Sequence, residues 1–428
     1  MTVSKTRTIN GKEFLTAAES DPDKLGWMKG FPPLKDKTLG VKDGSFLSFP
    51  AIRYSASHVQ QFLPVVEVSR QLKAPSPLPY DLDDNIDGLT FYPGHPQSKT
   101  NVTLTWEESL AANYTDGILI LHRGTVVYER YLGALTEYGK HMAMSVSKSF
   151  TGVLASILAA EGSLQPERMV ADYVPELEDS AFGDATVRQV MDMTTALKYS
   201  ENYADKSAEV WSYSAAGNPI VTAKSDDGPV GYLNALKEIE KQGEHGEAFS
   251  YKTPNADVLG WIVSRVSGKS VANLLSERIW SRIGMEQDGY YQVDALGTPF
   301  AGGGLSAGLR DMARFGELVR NQGNWHGEQL FPAAAIEEIM RGGSQTAFAK
   351  STHSELPGWS YKNLWWILEN PHGAFAARGV YGQTIYIDPT AEMVLVRFAS
   401  YPIAANAAND PTSLPAYAAV AEYLIDQK

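Results

Sequence analysis

The hydrophobic period of this chain changes twice, and that restricts the folds open to it. Residues 116 to 131 carry two β-rich runs, GILILHRG and TVVYERYLG, flanking Arg123-Gly124, which reads as a hairpin. From Ser145 the period lengthens. Phe150, Val153, Leu154, Ile157 and Leu158 form the stripe of a helix with one buried face, closed by Gly162. Helical patterns continue at 187–194, 256–267, 271–283 and 311–320. Strand patterns return at 379–388 and 392–399, and a helix over 415–425 ends the chain. Strands early and late, with helices between, predict an α/β (α+β) fold. An antiparallel sheet flanked by helices would draw on both ends of the chain, around an inserted all-helical region. The α/β part is expected at about 101–144 and 355–428, and the helical part at about 145–354. Residues 1–100, rich in Pro, Gly and Asp, read as an N-terminal arm packed on that unit (101–428). There is no internal repeat and no low-complexity tract.

Composition narrows the function. With 50 acidic and 37 basic side chains the formal charge is −13, which disfavours nucleic acid and anionic membrane surfaces. No cysteine is present, so disulfides, thiol nucleophiles and thiolate metal sites are excluded. The eight histidines are scattered, with no HExxH. No GxGxxG or P-loop occurs, so neither metal nor cofactor is expected. The polar first thirty residues lack a secretory apolar segment, and no run is long enough to span a membrane. A cytoplasmic protein is the expectation.

Ser145-Val146-Ser147-Lys148 is the only S-x-x-K in the chain. Residues three apart share a helix face, so the two side chains can meet. Burial would lower the proton affinity of Lys148, letting it accept the serine proton at a helix N-terminus that favours negative charge. The alternative is a capping serine beside a solvated lysine. Tyr251, in FSYKTPN before the 256–267 helix, could stand over the serine as a proton shuttle. It could equally be an interface tyrosine, with Asn255 as the helix cap.

Seven stretches in order then carry a resemblance. They are MSVSKSF around Ser145, VADYVPEL from Val170, VRQVMDMTTALKYSENY from Val187, FSYKTPNADVLGWIVSRVSG from Phe249, FAGGGLSAGLRDMARFGELV from Phe300, the Trp365-Trp366 pair, and GVYGQTIYIDP from Gly379. Over roughly residues 105 to 428 the chain resembles the serine β-lactamase and penicillin-binding superfamily, in its class C and family VIII esterase-like branch. Within it the chain looks most like the 6-aminohexanoate-dimer (nylon-oligomer) hydrolases. The resemblance implies a β-lactamase/transpeptidase-like fold. It implies Ser145 as nucleophile, Lys148 as base, Tyr251 as proton relay, and the N–H groups of Ser145 and Val380 as oxyanion hole. It puts Tyr203 over the substrate and Trp366 beside the cleft, with Asn255, Gly302 and Gly379 at substrate-binding positions.

The chain also departs from the family. The Lys or His expected two residues before Gly379 is absent, and the slot reads Ala377-Arg378-Gly379. The residue two after Tyr251 is Thr253 in place of asparagine. Ser214 stands where the nylon-oligomer hydrolases can carry a carboxylate for the substrate amine. The first two departures point away from β-lactam and peptidoglycan substrates, and Ser214 points away from a 6-aminohexanoate dimer as the best substrate. The cleft is expected to be lined by Tyr203, Trp211, Tyr213 and Trp366, favouring a flat or apolar acyl group, with Trp211 and Tyr213 as core or interface residues the alternative. Gly304-Leu305-Ser306-Ala307-Gly308 mimics a nucleophile elbow, but the run before it is a poor strand. The expected activity is cleavage of a linear amide in a small molecule through a Ser145 acyl-enzyme. A carboxylesterase or acyltransferase with the same site is the alternative, and a β-lactamase or an inactive binding relative the remoter ones. A small-molecule amide or ester is the expected partner, without nucleic acid or membrane, and a homodimer is left open.

Overall fold

A computed structural model of the chain describes residues 4–41, 44–94, 102–218 and 228–427. The expected arm boundary at 100 and 101 lies outside the described residues. At the centre is a seven-stranded antiparallel sheet. Its strands are β1 (Thr115–His122), β2 (Thr125–Tyr131), β3 (Ser360–Lys362), β4 (Trp365–Ile367), β5 (Phe375–Gly379), β6 (Gln383–Asp388) and β7 (Met393–Ala399). Across the sheet they run β3-β4-β5-β6-β7-β1-β2. β7 pairs with β1 from Met393↔His122 to Ala399↔Thr115, so the two ends of the chain meet mid-sheet.

Both faces of the sheet are covered, which explains why β1 reads as a continuous apolar run. Leu119 and Leu121 point into one core with Phe150 of α1 (Val146–Ala160) and Phe315 of α3 (Leu309–Arg320). Ile118 and Ile120 enter the opposite core with Val420 and Leu424 of α4 (Asp410–Asp426). Gly162, at φ +78, turns the chain out of α1. Between α1 and α3, α2 (Pro254–Ser267) starts on a proline and stops at Gly268 in the left-handed region.

Several elements differ from the sequence reading. The run 379–388 is not one strand. It turns at Val380–Gly382, where Tyr381 and Gly382 take φ +62 and +96, and returns as β6. The pattern at 271–283 stops being α-helical at Leu275, and Ser276–Trp280 winds as a π-helix. α4 starts at Asp410 rather than Pro415. The proline inside it frees the Pro411 carbonyl, and that oxygen accepts from Gly94 N–H at 2.7 Å. The middle of the chain is not all helical. Gly289–Gln292 and Leu305–Ala307 join a second sheet with Val65–Val68 and His141–Met142. One strand of that sheet comes from the arm, and another ends three residues before Ser145.

Candidate active site

Ser145 sits at the N-terminal end of α1, 8% exposed, directly after Met144 at φ +48. Its side chain makes no helix cap, and Lys148 is buried at 1% exposure, so the reading as capping serine and solvated lysine fails. Lys148 Nζ lies 2.8 Å from Ser145 Oγ and donates to the Gly302 carbonyl at 2.5 Å. Burial brings the Lys148 ammonium down to about 8, with the negative charges of Glu201 and Asp257 opposing.

Tyr251 closes the group. Its ring stacks on Trp366 at 5.3 Å and 26°, and Lys148 Nζ is 5.1 Å from its centre. Burial, reinforced by the charge of Glu201, holds its phenol well above the ordinary value, against a hydrogen bond with Ser145. It therefore carries its proton at neutral pH and can donate it.

The end of β5 passes close to Ser145. A Cβ on Gly379 would lie 2.8 Å from the Ala143 carbonyl oxygen and 2.9 Å from Ser145 N, so only glycine permits this approach. The approach brings the hairpin turn that begins at Val380 to Ser145. Among the described residues, no backbone acceptor takes the N–H of Ser145 or of Val380. Both lie beside a non-glycine residue in the left-handed region, Met144 before one and Tyr381 after the other.

Ser145, Tyr203, Tyr251, Trp366, Gly379 and Val380 line one cavity of about 680 Å³. The other predicted contacts lie elsewhere. Trp211 and Tyr213 belong to a helix, Glu209–Ala216, and residues two apart on a helix diverge by about 200°. Trp211 is 43% exposed, with its indole N–H on the Asp205 carbonyl. Tyr213 is buried, its hydroxyl donating to Asp257 at 2.7 Å. Ser214 is exposed on the same helix. Asn255 is fully buried inside the first turn of α2, where Thr253 and not Asn255 holds the N-cap position, without a capping side-chain bond, and Asn255 accepts from the Thr195 hydroxyl. Gly302 meets Lys148 through its carbonyl and does not line the cavity. Ser306 is 1% exposed in the middle of a strand, so it forms no nucleophile elbow.

Sequence reasoning assigned no site role to three groups. Glu201 lines the cavity and accepts from Tyr203 Oη, Thr253 Oγ1 and Thr253 N. Arg378 lines it too, held between Trp359 and Trp366 and paired with Asp410. Asp257 is buried behind Lys148. Two of them left a trace in sequence, Asp257 as an acid within the otherwise apolar ADVLGWIV run and Arg378 as the cation beside Gly379. Among the described residues there is no cluster of three His, Asp or Glu able to hold a metal ion. Nor is any described helix long and apolar enough to cross a membrane.

Residues 108–416 match the sequence family described as Beta-lactamase. The 6-aminohexanoate-dimer hydrolase of Paenarthrobacter ureafaciens is 31% identical over 363 residues, 84% of this chain and 88% of that protein. A solved structure described as "Putative 6-aminohexanoate-dimer hydrolase from Bacillus anthracis" superposes with a TM-score of 0.79 at 33% identity, covering 91% of this chain and 99% of the other. A class C β-lactamase mutant superposes at 0.53 and 16% identity, covering 75% and 95%, a likeness of fold.

Proposed function

The chain belongs to the β-lactamase family, and from that premise we propose that it is a serine hydrolase cleaving a linear amide of a small molecule through a Ser145 acyl-enzyme. The observation that carries this is the 2.8 Å contact between Ser145 Oγ and a buried lysine whose ammonium is lowered to about 8. At its ordinary value Lys148 would be neutral in about three molecules in ten thousand at pH 7, whereas near 8 about a tenth are neutral. The neutral amine accepts the Ser145 proton as Oγ attacks the amide carbon. The N–H groups of Ser145 and Val380 receive the developing oxyanion, which favours the transition state over the flatter substrate carbonyl. Tyr251 hands its proton to the departing nitrogen and is reprotonated from Lys148. Water then attacks the acyl carbon by the reverse relay, releasing the acid and free Ser145.

Arg378 is already engaged by Asp410, so the β5 edge does not present an unpaired cation to a ring carboxylate. This supports a linear amide over a β-lactam. A 6-aminohexanoate-type dimer heads the panel because the relatives carry that name.

The test is turnover of small linear amides, p-nitrophenyl esters and a cephalosporin by the wild type and Ser145→Ala. Amide turnover should rise with pH through about 8, because the base is the neutral lysine, and should be lost in the variant. Turnover of esters alone would move the reading to a carboxylesterase. Equal turnover by Ser145→Ala would remove Ser145 from the chemistry.

A further inference from the structure

The Asp257 carboxylate lies one shell behind the reacting atoms, and its contacts have a direction. Oδ1 accepts from Gly302 N–H at 2.9 Å, while Oδ2 accepts from the Tyr213 hydroxyl at 2.7 Å. The carbonyl of Gly302 in turn accepts from Lys148 Nζ. The anion anchors the peptide plane that enters Gly302, and with the backbone at 302 packed this tightly, that anchor limits where the Gly302 carbonyl can point. A side chain at 302 has no room, since a Cβ would meet Thr253 Cγ2 at 2.6 Å and Asp257 Oδ2 at 3.2 Å. We propose that Asp257 is the positioning residue for the lysine base, clamping Gly302 so that its carbonyl holds Lys148 against Ser145. The proposal rests on the reading of Lys148 as base.

The charged and titratable groups facing Lys148 come from three elements. Asp257 comes from α2, Tyr251 from the segment before it, and Glu201 from the segment before the Glu209–Ala216 helix. Asp257 also faces Tyr213 and Tyr232. Burial raises the Asp257 carboxyl to about 7, while the Tyr213 hydroxyl and the Gly302 N–H favour its charged form. As an anion it both orients Lys148 and favours the protonated amine. Removing its charge should therefore free a less basic lysine in a poorer position.

The experiment needs no known substrate. Ser145 is labelled with an alkyl p-nitrophenyl phosphonate, and the rate is followed by intact mass across pH. In the wild type the rate should rise through about 8. In Asp257→Asn the limb should move about one unit lower and the plateau rate should fall about tenfold. Tyr213→Phe, which removes one donor from the carboxylate, should move the limb the same way by less. It decides the question if Asp257→Asn does not fold. Limbs and plateau rates within twofold of wild type in the folded variants would overturn the clamp, whatever their thermal stability. A wild type that takes no label would overturn the reading of Ser145 and Lys148 itself, and the clamp with it.

Discussion

Gly379 is the residue at which one added carbon should matter most. Its missing side chain lets β5 run against Ala143 and Ser145, and Ser145 and Val380 line the same cavity. Gly379→Ala should push the strand away and cost one oxyanion donor. We expect kcat/KM on the best amide of the panel to fall about a hundredfold or more, corresponding to ~3 kcal/mol of transition-state stabilisation. Urea unfolding should shift far less, and a variant with near wild-type kcat/KM would contradict the role. At this scale the sequence was informative wherever chemistry and spacing coincide. Ser145 and Lys148 sit one helical turn apart, so a local pattern brings them together. Tyr251 comes from a distant segment; its place before a helix left an interface role equally open, and only the resemblance carried by the FSYKTPN stretch implied a relay. Glu201 and Asp257 act through Thr253 and Gly302, contacts that no local pattern records. Tyr213 shows the opposite error, an aromatic residue that reads as a cleft wall and serves as a buried hydrogen-bond donor to Asp257.

Among elements, α1, α2 and the β1-β2 hairpin were legible because each carries both a clean period and a stop signal. The β5-β6 turn was not. Its Val-Tyr core continues the β-rich pattern, and the signal lay in the glycines on either side, one accepting a close approach and the other a positive φ. The missed turn matters because a single long strand would have no free N–H at Val380, whereas the hairpin leaves that group outside the ladder. The Glu209–Ala216 helix was missed for another reason. Its first residues carry no capping side chain, and its eight residues hold no clear apolar stripe.

Over the whole molecule, the arm is tied to the site side of the catalytic region. Ala56 O accepts from Met142 N–H, and Ile52, Ala56 and Val59 share a cluster with Met142, Met144 and Tyr381. Met144 and Tyr381 are the left-handed residues beside the Ser145 and Val380 N–H groups, so arm packing bears on backbone that costs energy to hold. Buried Arg53 anchors the arm to Asp116 at 3.4 Å, and Asp116 also meets His141 and Ser400. Arg53→Ala should leave that carboxylate without its cation and lower unfolding stability by about 3 kcal/mol. A loss below ~1 kcal/mol in urea would show that arm and catalytic region are not coupled there. Arm contacts of this kind were illegible in sequence, because irregular segments pack by shape and not by period. The claim on which the account depends is a covalent acyl group on Ser145. Its most direct test is the intact mass of Tyr251→Phe during turnover of p-nitrophenyl esters, whose phenolate leaves without a proton, so that loss of the relay should slow release of the acyl group and not its formation. The account predicts a mass increase equal to the acyl fragment, mapped to Ser145 and absent in Ser145→Ala. Turnover of these esters with no adduct on Ser145 in either the variant or the rapidly quenched wild type would contradict it.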